Sequence, residues 1–275
     1  MTLFGVHIDS TPNTVESEIM KYKSLDCNIS QLFVNPSKKY EEIYKQVKLL
    51  CSRIKMALSV HISYTVNIAN DSNKYAWWTK QFVEEIKLAH KLSAFAVVVH
   101  LGRSLDQPEQ VALNNMYINL IKINNKTKNI PIKILIETST GQGSEMCYKL
   151  EDLARFYNKI KMNKEMSDRF GICLDTCHLF NAGYDIRTVE GVKNYMKQFD
   201  ELIGIENIKL IHLNDSKNEL GKKIDRHANI DKGHIGHNGL EEIVKLFGKL
   251  GVPLILETPD EFLENDILFI KKCTK

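Results

Sequence analysis

What the sequence lacks excludes several classes of protein. No apolar run reaches the roughly 18 residues that a bilayer-spanning helix needs, so the sequence predicts no transmembrane helix. The N-terminal stretch MTLFGVHIDS has no basic segment followed by a long apolar one, and we therefore expect no signal peptide. The six cysteines include no Cys-x-x-Cys pair and suggest no disulfide framework. These absences predict an intracellular protein with reduced thiols, which is neither secreted nor bound to a membrane.

Neither the net charge of the chain nor its local composition indicates a particular class of protein. The formal net charge is +3, which is only mildly basic and does not by itself indicate a nucleic-acid binder. There is no linker, low-complexity tract or long charge block along the 275 residues. The sequence therefore predicts one domain that spans residues 1–275.

Eight short apolar runs, several of them rich in β-branched residues, recur along the chain with lengths that suit β-strands. Segments with helical spacing lie between them, including 38–55, 77–93 and 239–251. This alternation predicts an α/β fold, a single-domain (β/α)8 TIM barrel. An open doubly wound sheet is the rival, but no G-x-G-x-x-G follows the first run. The eight runs are 3–8, 28–34, 57–63, 94–100, 132–138, 170–176, 208–214 and 252–258.

Titratable side chains stand at or just after the ends of six consecutive predicted strands. The active sites of TIM barrels lie at this C-terminal face. Imidazole and carboxylate groups are ligands that suit zinc, and a rim of carboxylates without cations would repel itself. The pattern therefore predicts a metal centre at this rim. Its candidate residues are His61, His100, Glu137, Asp175, His178, His212 and Glu257.

The stretch IDRHANIDKGHIGHNG follows the seventh predicted strand and brings three more histidines to the same face. Asp225 and His227 are separated by one residue, so an extended segment would point both side chains to one side. Together with His178 they form a candidate set for a further ion. His234 and His237 lie among turn residues, and we expect them to be polar loop groups rather than ligands.

Seven motifs in this order resemble the endonuclease IV family of apurinic/apyrimidinic (AP) endonucleases. The resemblance covers about residues 3–260 and implies a (β/α)8 barrel with three zinc ions, with mixed occupancy by manganese as a variant. The motifs are GVHI, SVHISY, VVVHLG, ILIETSTGQG, CLDTCHLFNAGYD, HLNDSKNELGKKIDRHANIDKGHIG and LILETP.

The resemblance assigns nine side chains to the three ions by matching position. His61 and His100 would bind the first ion, and Glu137 would bridge the first and second. Asp175, His212 and Glu257 would complete the second, whereas His178, Asp225 and His227 would hold the third. The implied catalytic carboxylates are Glu137, Asp175 and Glu257. The implied reaction belongs to DNA base excision repair: hydrolysis of the phosphodiester 5′ to an abasic site, which leaves a 3′-hydroxyl.

Two loops depart from the family pattern where the family contacts DNA. Lys38 stands nearest to the place where the family often has an arginine, and Tyr64-Thr65 replaces a Tyr-Leu wedge with a smaller, more polar pair. The predicted DNA contacts are Tyr64, Lys38 and Arg226. The predicted partner is duplex DNA with abasic sites, and we expect a monomer.

Two other functions fit parts of the pattern. A sugar isomerase or epimerase would use Glu137, Asp175, His212 and Glu257 as a metal quartet, but it would not need the other five ligand candidates. A non-catalytic protein that binds DNA lesions would tolerate loss of ligands, and the set is complete. Both alternatives are less favoured than the nuclease.

Overall fold

The computed structural model describes residues 2–8, 13–71 and 77–274 of the chain. Within these residues, eight parallel strands close into a barrel in which β1 pairs with both β2 and the last strand. The barrel predicted from the alternating runs is therefore confirmed. The barrel strands are β1 (Phe4–Ile8), β2 (Ile29–Phe33), β3 (Ala57–His61), β4 (Ala96–His100), β5 (Lys133–Glu137), β6 (Phe170–Asp175), β7 (Ile208–His212) and β10 (Leu254–Leu256).

Helices surround the barrel and cover the outer faces of its strands. None of the helices in the described residues combines the length and the apolar character that crossing a bilayer requires. The α-helices of this part of the chain are α1 (Val15–Ser24), α2 (Glu41–Ile54), α3 (Trp77–Lys91), α4 (Glu109–Lys126), α5 (Leu150–Lys161), α6 (Thr176–Ala182), α7 (Val189–Leu202), α8 (His237–Leu250) and α9 (Leu263–Cys273).

Two details of the fold differ from the sequence prediction. The helix predicted over 38–55 starts as a 3-10 turn at Lys38–Tyr40 and becomes α-helical only at Glu41. A two-stranded antiparallel hairpin, β8 (Asp215–Ser216) with β9 (His227–Ala228), was not predicted. Each of its strands has two residues, which is too short for a detectable apolar pattern.

Alternation along the strands separates two parts of the core. Val97 and Val99 of β4 pack outward in the large cluster beneath the helices, whereas Val98 packs inside the barrel. The interior cluster is small, and its fully buried members are Ile29, Ala96, Val98, Leu135, Cys173, Leu210 and Ile255. Because side chains alternate with period two, the residue two positions after each interior residue also faces the barrel axis, closer to the C-terminal rim.

Candidate metal centre

The inward-facing positions at the C-terminal ends of the strands carry the predicted ligands. His100 follows the interior residue Val98 by two positions, and Glu137 follows Leu135 in the same way. Strand register then sets these residues side by side, because His100 pairs with Glu137, and Asp175 with His212. Strand periodicity and parallel register therefore suffice to gather the rim residues at one end of the barrel.

The first group of candidate ligands is built around one oxygen of Glu137. His61 Nε2 and His100 Nδ1 each lie 3.1 Å from Glu137 Oε2. His61 Nδ1 donates a hydrogen bond of 2.8 Å to the carbonyl of Ile62, which leaves Nε2 as the free ring nitrogen. Two imidazoles and a carboxylate thus converge on one point.

The second group uses the other oxygen of the same carboxylate. His212 Nδ1 lies 2.8 Å from Glu137 Oε1, 3.3 Å from Glu257 Oε2 and 3.8 Å from Asp175 Oδ2. Glu137 therefore offers one oxygen to each group, which is the arrangement that a carboxylate shared by two ions requires.

The third group comes from helix α6 and the hairpin. Asp175 caps α6, since its Oδ1 accepts the backbone N–H of His178 at 2.9 Å. This hydrogen bond fixes the position of the His178 backbone beside the centre. His178 Nε2 lies 3.4 Å and His227 Nε2 3.2 Å from Asp225 Oδ1. The structure thus brings together the three residues that the spacing of Asp225 and His227 predicted.

Two buried ring nitrogens, Nε2 of His178 and Nε2 of His227, indicate that this third group suits a cation. His178 Nδ1 donates to the carbonyl of Thr138 at 2.7 Å, and His227 Nδ1 donates to the carbonyl of Glu257 at 3.1 Å. Each ring therefore turns Nε2 toward Asp225, and neither Nε2 atom has a hydrogen-bond partner among the described residues. A buried nitrogen without a partner is costly, and a cation between these atoms would satisfy it.

Neighbouring imidazoles keep two carboxylates of the centre, Asp225 and Glu137, ionised despite their burial. Burial alone would raise the pKa of Asp225, but the imidazoles of His178 and His227 hold it well below its usual value. Burial would likewise raise the pKa of Glu137, and His100 and His212 lower it. The centre can therefore present negative oxygens to a cation at neutral pH.

The same coupling raises the pKa of the two imidazoles of the third group. Burial would lower the pKa of His227, yet Asp175 and Asp225 raise it to about 9. The pKa of His178 is also raised by Asp175 and Asp225 against the effect of burial. A metal ion at this group would therefore have to displace protons from both rings.

A cavity of about 830 Å³ opens beside this centre. Seven of the nine candidate ligands line it, together with the aromatic rings of Phe33 and Tyr64. Tyr64 is exposed at its wall. Arg226 is exposed beside Asp225, and its guanidinium donates a hydrogen bond of 2.6 Å to the backbone carbonyl of Asp225. Lys38 does not line this cavity but a separate groove with residues of α2 and α3.

Several residues that orient the candidate ligands were missed by the sequence reasoning. Asn214 Nδ2 donates to Asp175 Oδ2 at 2.7 Å, and its Oδ1 accepts the backbone N–H of Glu257 at 2.8 Å. Gln142 Oε1 accepts the backbone N–H of Asp225 at 2.7 Å. Their amide side chains follow strand ends as the ligands do, and that position was the only signal available in the sequence.

The remaining histidines of the IDRHANIDKGHIGHNG stretch lie outside the three groups. His234 donates its backbone N–H to Ser216, as a loop residue would. His237 was expected in the turn, but it is the first residue of α8 and contacts Asp231 at 3.0 Å. Gly236, at a φ of 76°, turns the chain into this helix, which starts two residues before the predicted segment 239–251.

Cys177 is a further candidate ligand that the sequence reasoning did not propose. Its sulfur lies within 4.8 Å of ligand atoms of Asp175 and His227. Burial raises the pKa of this thiol to about 12. Because the thiolate is the form that binds metals, the three-residue group around Asp225 is the better cation site.

The chain matches one family model and resembles proteins of known name over nearly its whole length. The family model described as "Xylose isomerase-like TIM barrel" matches residues 20–273. The probable endonuclease 4 of Nitrosopumilus maritimus is 33% identical over 279 residues, and the match covers 98% of each chain. The chain belongs to the endonuclease IV family. The family is metal-dependent, in keeping with the several potential ligand groups of this structure.

Two further members show how widely the family is spread. Apurinic-apyrimidinic endonuclease 1 of Plasmodium falciparum is 33% identical over 277 residues, which are 95% of this chain and 44% of that protein. The crystal structure of endonuclease IV from Thermus thermophilus matches with a TM-score of 0.76 at 24% identity, covering 98% of this chain and 97% of that one. The second likeness shows that the two chains share the barrel fold.

Proposed function

We propose that this protein is a zinc-dependent AP endonuclease of base excision repair. It hydrolyses the phosphodiester 5′ to an abasic site in duplex DNA and leaves a 3′-hydroxyl. The observation that carries the proposal is the sharing of Glu137 between two ligand groups, with a third group beside them on the same cavity. A relative of nearly full-length similarity is named probable endonuclease 4, and a longer relative is named apurinic-apyrimidinic endonuclease 1. Such an enzyme acts as a monomer inside the cell, where genomic DNA is repaired.

Three zinc ions would occupy the three groups, with manganese as a partial substitute. The first would be held by His61 and His100, the second by Asp175, His212 and Glu257, with Glu137 bridging both, and the third by His178, Asp225 and His227. When bound, the ions supply charge that stabilises the attacking and leaving oxygens and lower the pKa of water toward neutrality.

The residues of the chain make this arrangement rigid before DNA arrives. Glu137 uses Oε2 toward His61 and His100 and Oε1 toward His212, so that one buried side chain fixes the separation of two groups. Carbonyl groups accept the Nδ1 protons of His178 and His227, which sets the tautomer of each ring. Glu137, Asp175 and Glu257 are the carboxylates that we propose as catalytic.

The carboxylates of the centre would by themselves exclude a phosphodiester. Four of them, Glu137, Asp175, Asp225 and Glu257, lie in the three groups. A phosphodiester anion beside them would be repelled strongly in this partly buried rim. The site therefore suits DNA only when cations outweigh the carboxylates, which links substrate binding to metal binding.

Recognition of the abasic site would come from shape. A nucleotide without a base has lost its stacking and leaves the helix at a lower cost than a paired one. The cavity of about 830 Å³ would receive it, with Tyr64 as a wedge at the wall. Arg226 would contact a phosphate next to the third group, and Lys38 would contact DNA only where the duplex passes over the α2–α3 side. These loops form the proposed DNA-binding face.

A sugar isomerase or epimerase remains the second candidate, because Glu137, Asp175, His212 and Glu257 form a compact quartet. Such a reaction needs no group like that of His178, Asp225 and His227. The names of the relatives also weigh against it.

A duplex oligonucleotide with one tetrahydrofuran abasic analogue tests the proposal. The analogue cannot undergo β-elimination, so that every cut is hydrolytic. We expect a single nick that leaves a 3′-hydroxyl, and we expect Glu257→Gln to lose it by more than about 100-fold, beyond the range for residues that only orient a ligand. Glu264→Gln, an exposed glutamate on α9, is the matched control and should cut normally. An uncut duplex with fully zinc-loaded wild-type protein would refute the nuclease and lead to sugar substrates.

A further inference from the structure

Gln31 is buried inside the barrel on β2, between two side chains of the second ligand group. Its Nε2 lies 2.8 Å from Glu257 Oε1, and its Oε1 lies 3.1 Å from His212 Nε2. The two contacts reach the end of β10 and the end of β7. One amide from a strand that supplies none of the proposed ligands thus touches two of them.

The orientation of this amide follows from its neighbours. An ionised carboxylate only accepts hydrogen bonds, so the NH2 group of Gln31 must face Glu257. His7 Nδ1 lies 2.9 Å from the same amide nitrogen and 3.1 Å from Glu257 Oε1. The amide oxygen is left to face His212, and it also accepts a longer bond of 3.4 Å from Ser59 Oγ. Reversing the amide would set two acceptors, its oxygen and the carboxylate, against each other.

This orientation selects the metal-facing atom of both contacted residues. The amide oxygen holds a proton on His212 Nε2, so that Nδ1, which faces Glu137, Asp175 and Glu257, is the nitrogen left for an ion. The amide N–H faces Glu257 Oε1, which His7 Nδ1 also contacts, and leaves Oε2, which lies 3.3 Å from His212 Nδ1. A single side chain therefore turns one atom of each residue toward the same point.

We propose that Gln31 is a positioning residue of the second metal site, which fixes the Nε2–H tautomer of His212 and the rotation of the Glu257 carboxylate. The proposal rests on the function proposed above, because it takes His212 and Glu257 as ligands. Outer partners of this kind orient metal ligands and tune their basicity, and their loss weakens metal binding by about 10–100-fold.

Gln31→Met tests this assignment, since methionine keeps the shape of glutamine and lacks both hydrogen-bonding groups. Zinc affinity is measured by competition with a chelator of known affinity, independently of DNA cleavage. We expect one of the three zinc equivalents to bind about 10–100-fold more weakly and the other two to bind as in the wild type. Wild-type affinity for all three equivalents in the folded variant would overturn the proposal.

Two controls separate the role of Gln31 from a general loss of packing. Ser59→Ala removes only the long bond to the amide oxygen and should leave zinc affinity unchanged. Gln107→Met removes a hydrogen-bonded glutamine of the loop before α4, away from the ligand groups, and should also bind zinc normally. A weakened affinity in both controls would show that the assay reports packing, and the assignment would fail.

The wild-type protein provides a second test that needs no variant at Gln31. Nitrogen-15 NMR of the zinc-loaded protein with labelled histidine, with His212 assigned through His212→Asn, reports which ring nitrogen carries the proton. We expect the proton on Nε2, in slow exchange with water. A proton on Nδ1 would overturn the proposal. Failure to cleave abasic DNA, in contrast, would refute the nuclease function and leave this result untouched.

Discussion

At the scale of single residues, the partner of the second ring nitrogen in four candidate ligands decides what the first nitrogen can bind. His61, His178 and His227 give Nδ1–H to backbone carbonyls, and His212 gives Nε2–H to Gln31. Such partners select the tautomer in which the remaining nitrogen has a free lone pair. A histidine of the loop between β7 and α8 that lies outside the ligand groups should contribute nothing to metal binding.

His227→Asn and His234→Asn compare two histidines of one loop. We expect His227→Asn to lose one zinc equivalent per chain, because Asp225 and His178 alone leave the third group incomplete. His234→Asn should keep all zinc, since His234 belongs to none of the three groups and contributes its backbone N–H to the loop. Elemental analysis of both purified variants gives the count. Equal zinc contents in the two would contradict the assignment of the third site.

The raised pKa of His227 makes metal binding depend on pH. Asp175 and Asp225 raise this pKa to about 9 against the effect of burial, so that the ring is protonated at neutral pH until an ion displaces the proton. The apparent zinc affinity of the third group should therefore rise with pH, by about tenfold per unit for each proton displaced below pH 9. Chelator competition between pH 6 and 8 measures it. A flat profile would show that no proton leaves this group.

At the scale of elements, helix α8 is placed by a contact that only glycine permits. A Cβ on Gly239 would lie 1.8 Å from the backbone oxygen of Ile186, in the segment between α6 and α7. The loop that carries Asp225 and His227 runs directly into this helix. The close approach therefore fixes the C-terminal end of the ligand loop.

Gly239→Ala and Gly248→Ala test this contact within one helix. Gly239→Ala should destabilise the protein by about 1–3 kcal/mol or more, because a backbone atom cannot move aside as a side chain can. Gly248→Ala should cost much less, because the nearest atom to its Cβ is the hydroxyl oxygen of Thr2 at 3.2 Å, and alanine is favoured over glycine in a helix by about 0.5–1 kcal/mol. Urea unfolding of both variants measures the changes. Equal effects would mean that α8 tolerates a shift at its N-terminus.

At the scale of the whole molecule, the proposed ligands tie the barrel together. They come from the ends of β3, β4, β5, β6, β7 and β10 and from the segments after β6 and β7. Ions that bind the folded protein and not the unfolded chain stabilise the fold by mass action. Metal binding should therefore act on global stability and not only on the site.

Removal of the metal with a chelator should lower the melting temperature. At a free zinc concentration of 100 times the dissociation constant, a site contributes about 2.7 kcal/mol, and each kcal/mol corresponds to about 2–4 °C for a domain of this size. Thermal unfolding of loaded, stripped and reloaded protein measures the effect. An unchanged melting temperature after complete removal of zinc would show that the ions do not bridge the strands.

Much of the fold could be predicted from the sequence because strands covered on both faces are nearly continuous apolar runs. Each of the eight predicted runs contains a strand of the barrel, and the ends of six coincide with candidate ligands. The same reasoning failed for the β8–β9 hairpin and for the start of α8 at His237. Two-residue strands have no period, and one glycine at positive φ shifts a helix start without changing the composition.

The barrel and the residue types at its rim follow from the sequence alone, since strand periodicity points every second residue toward the barrel axis, and the shared direction of parallel strands sets their C-terminal ends at one rim. Which atom of each residue faces a common point depends on the tertiary structure. Nothing in the sequence distinguishes Gln31 from any other polar residue of a strand. The sequence also predicts Lys38 as a DNA contact at the rim, although it lines a groove separate from the cavity beside the metal centre. Hydrogen bonds between residues as far apart as Gln31 and His212 depend on the closure of the barrel, which no local pattern encodes.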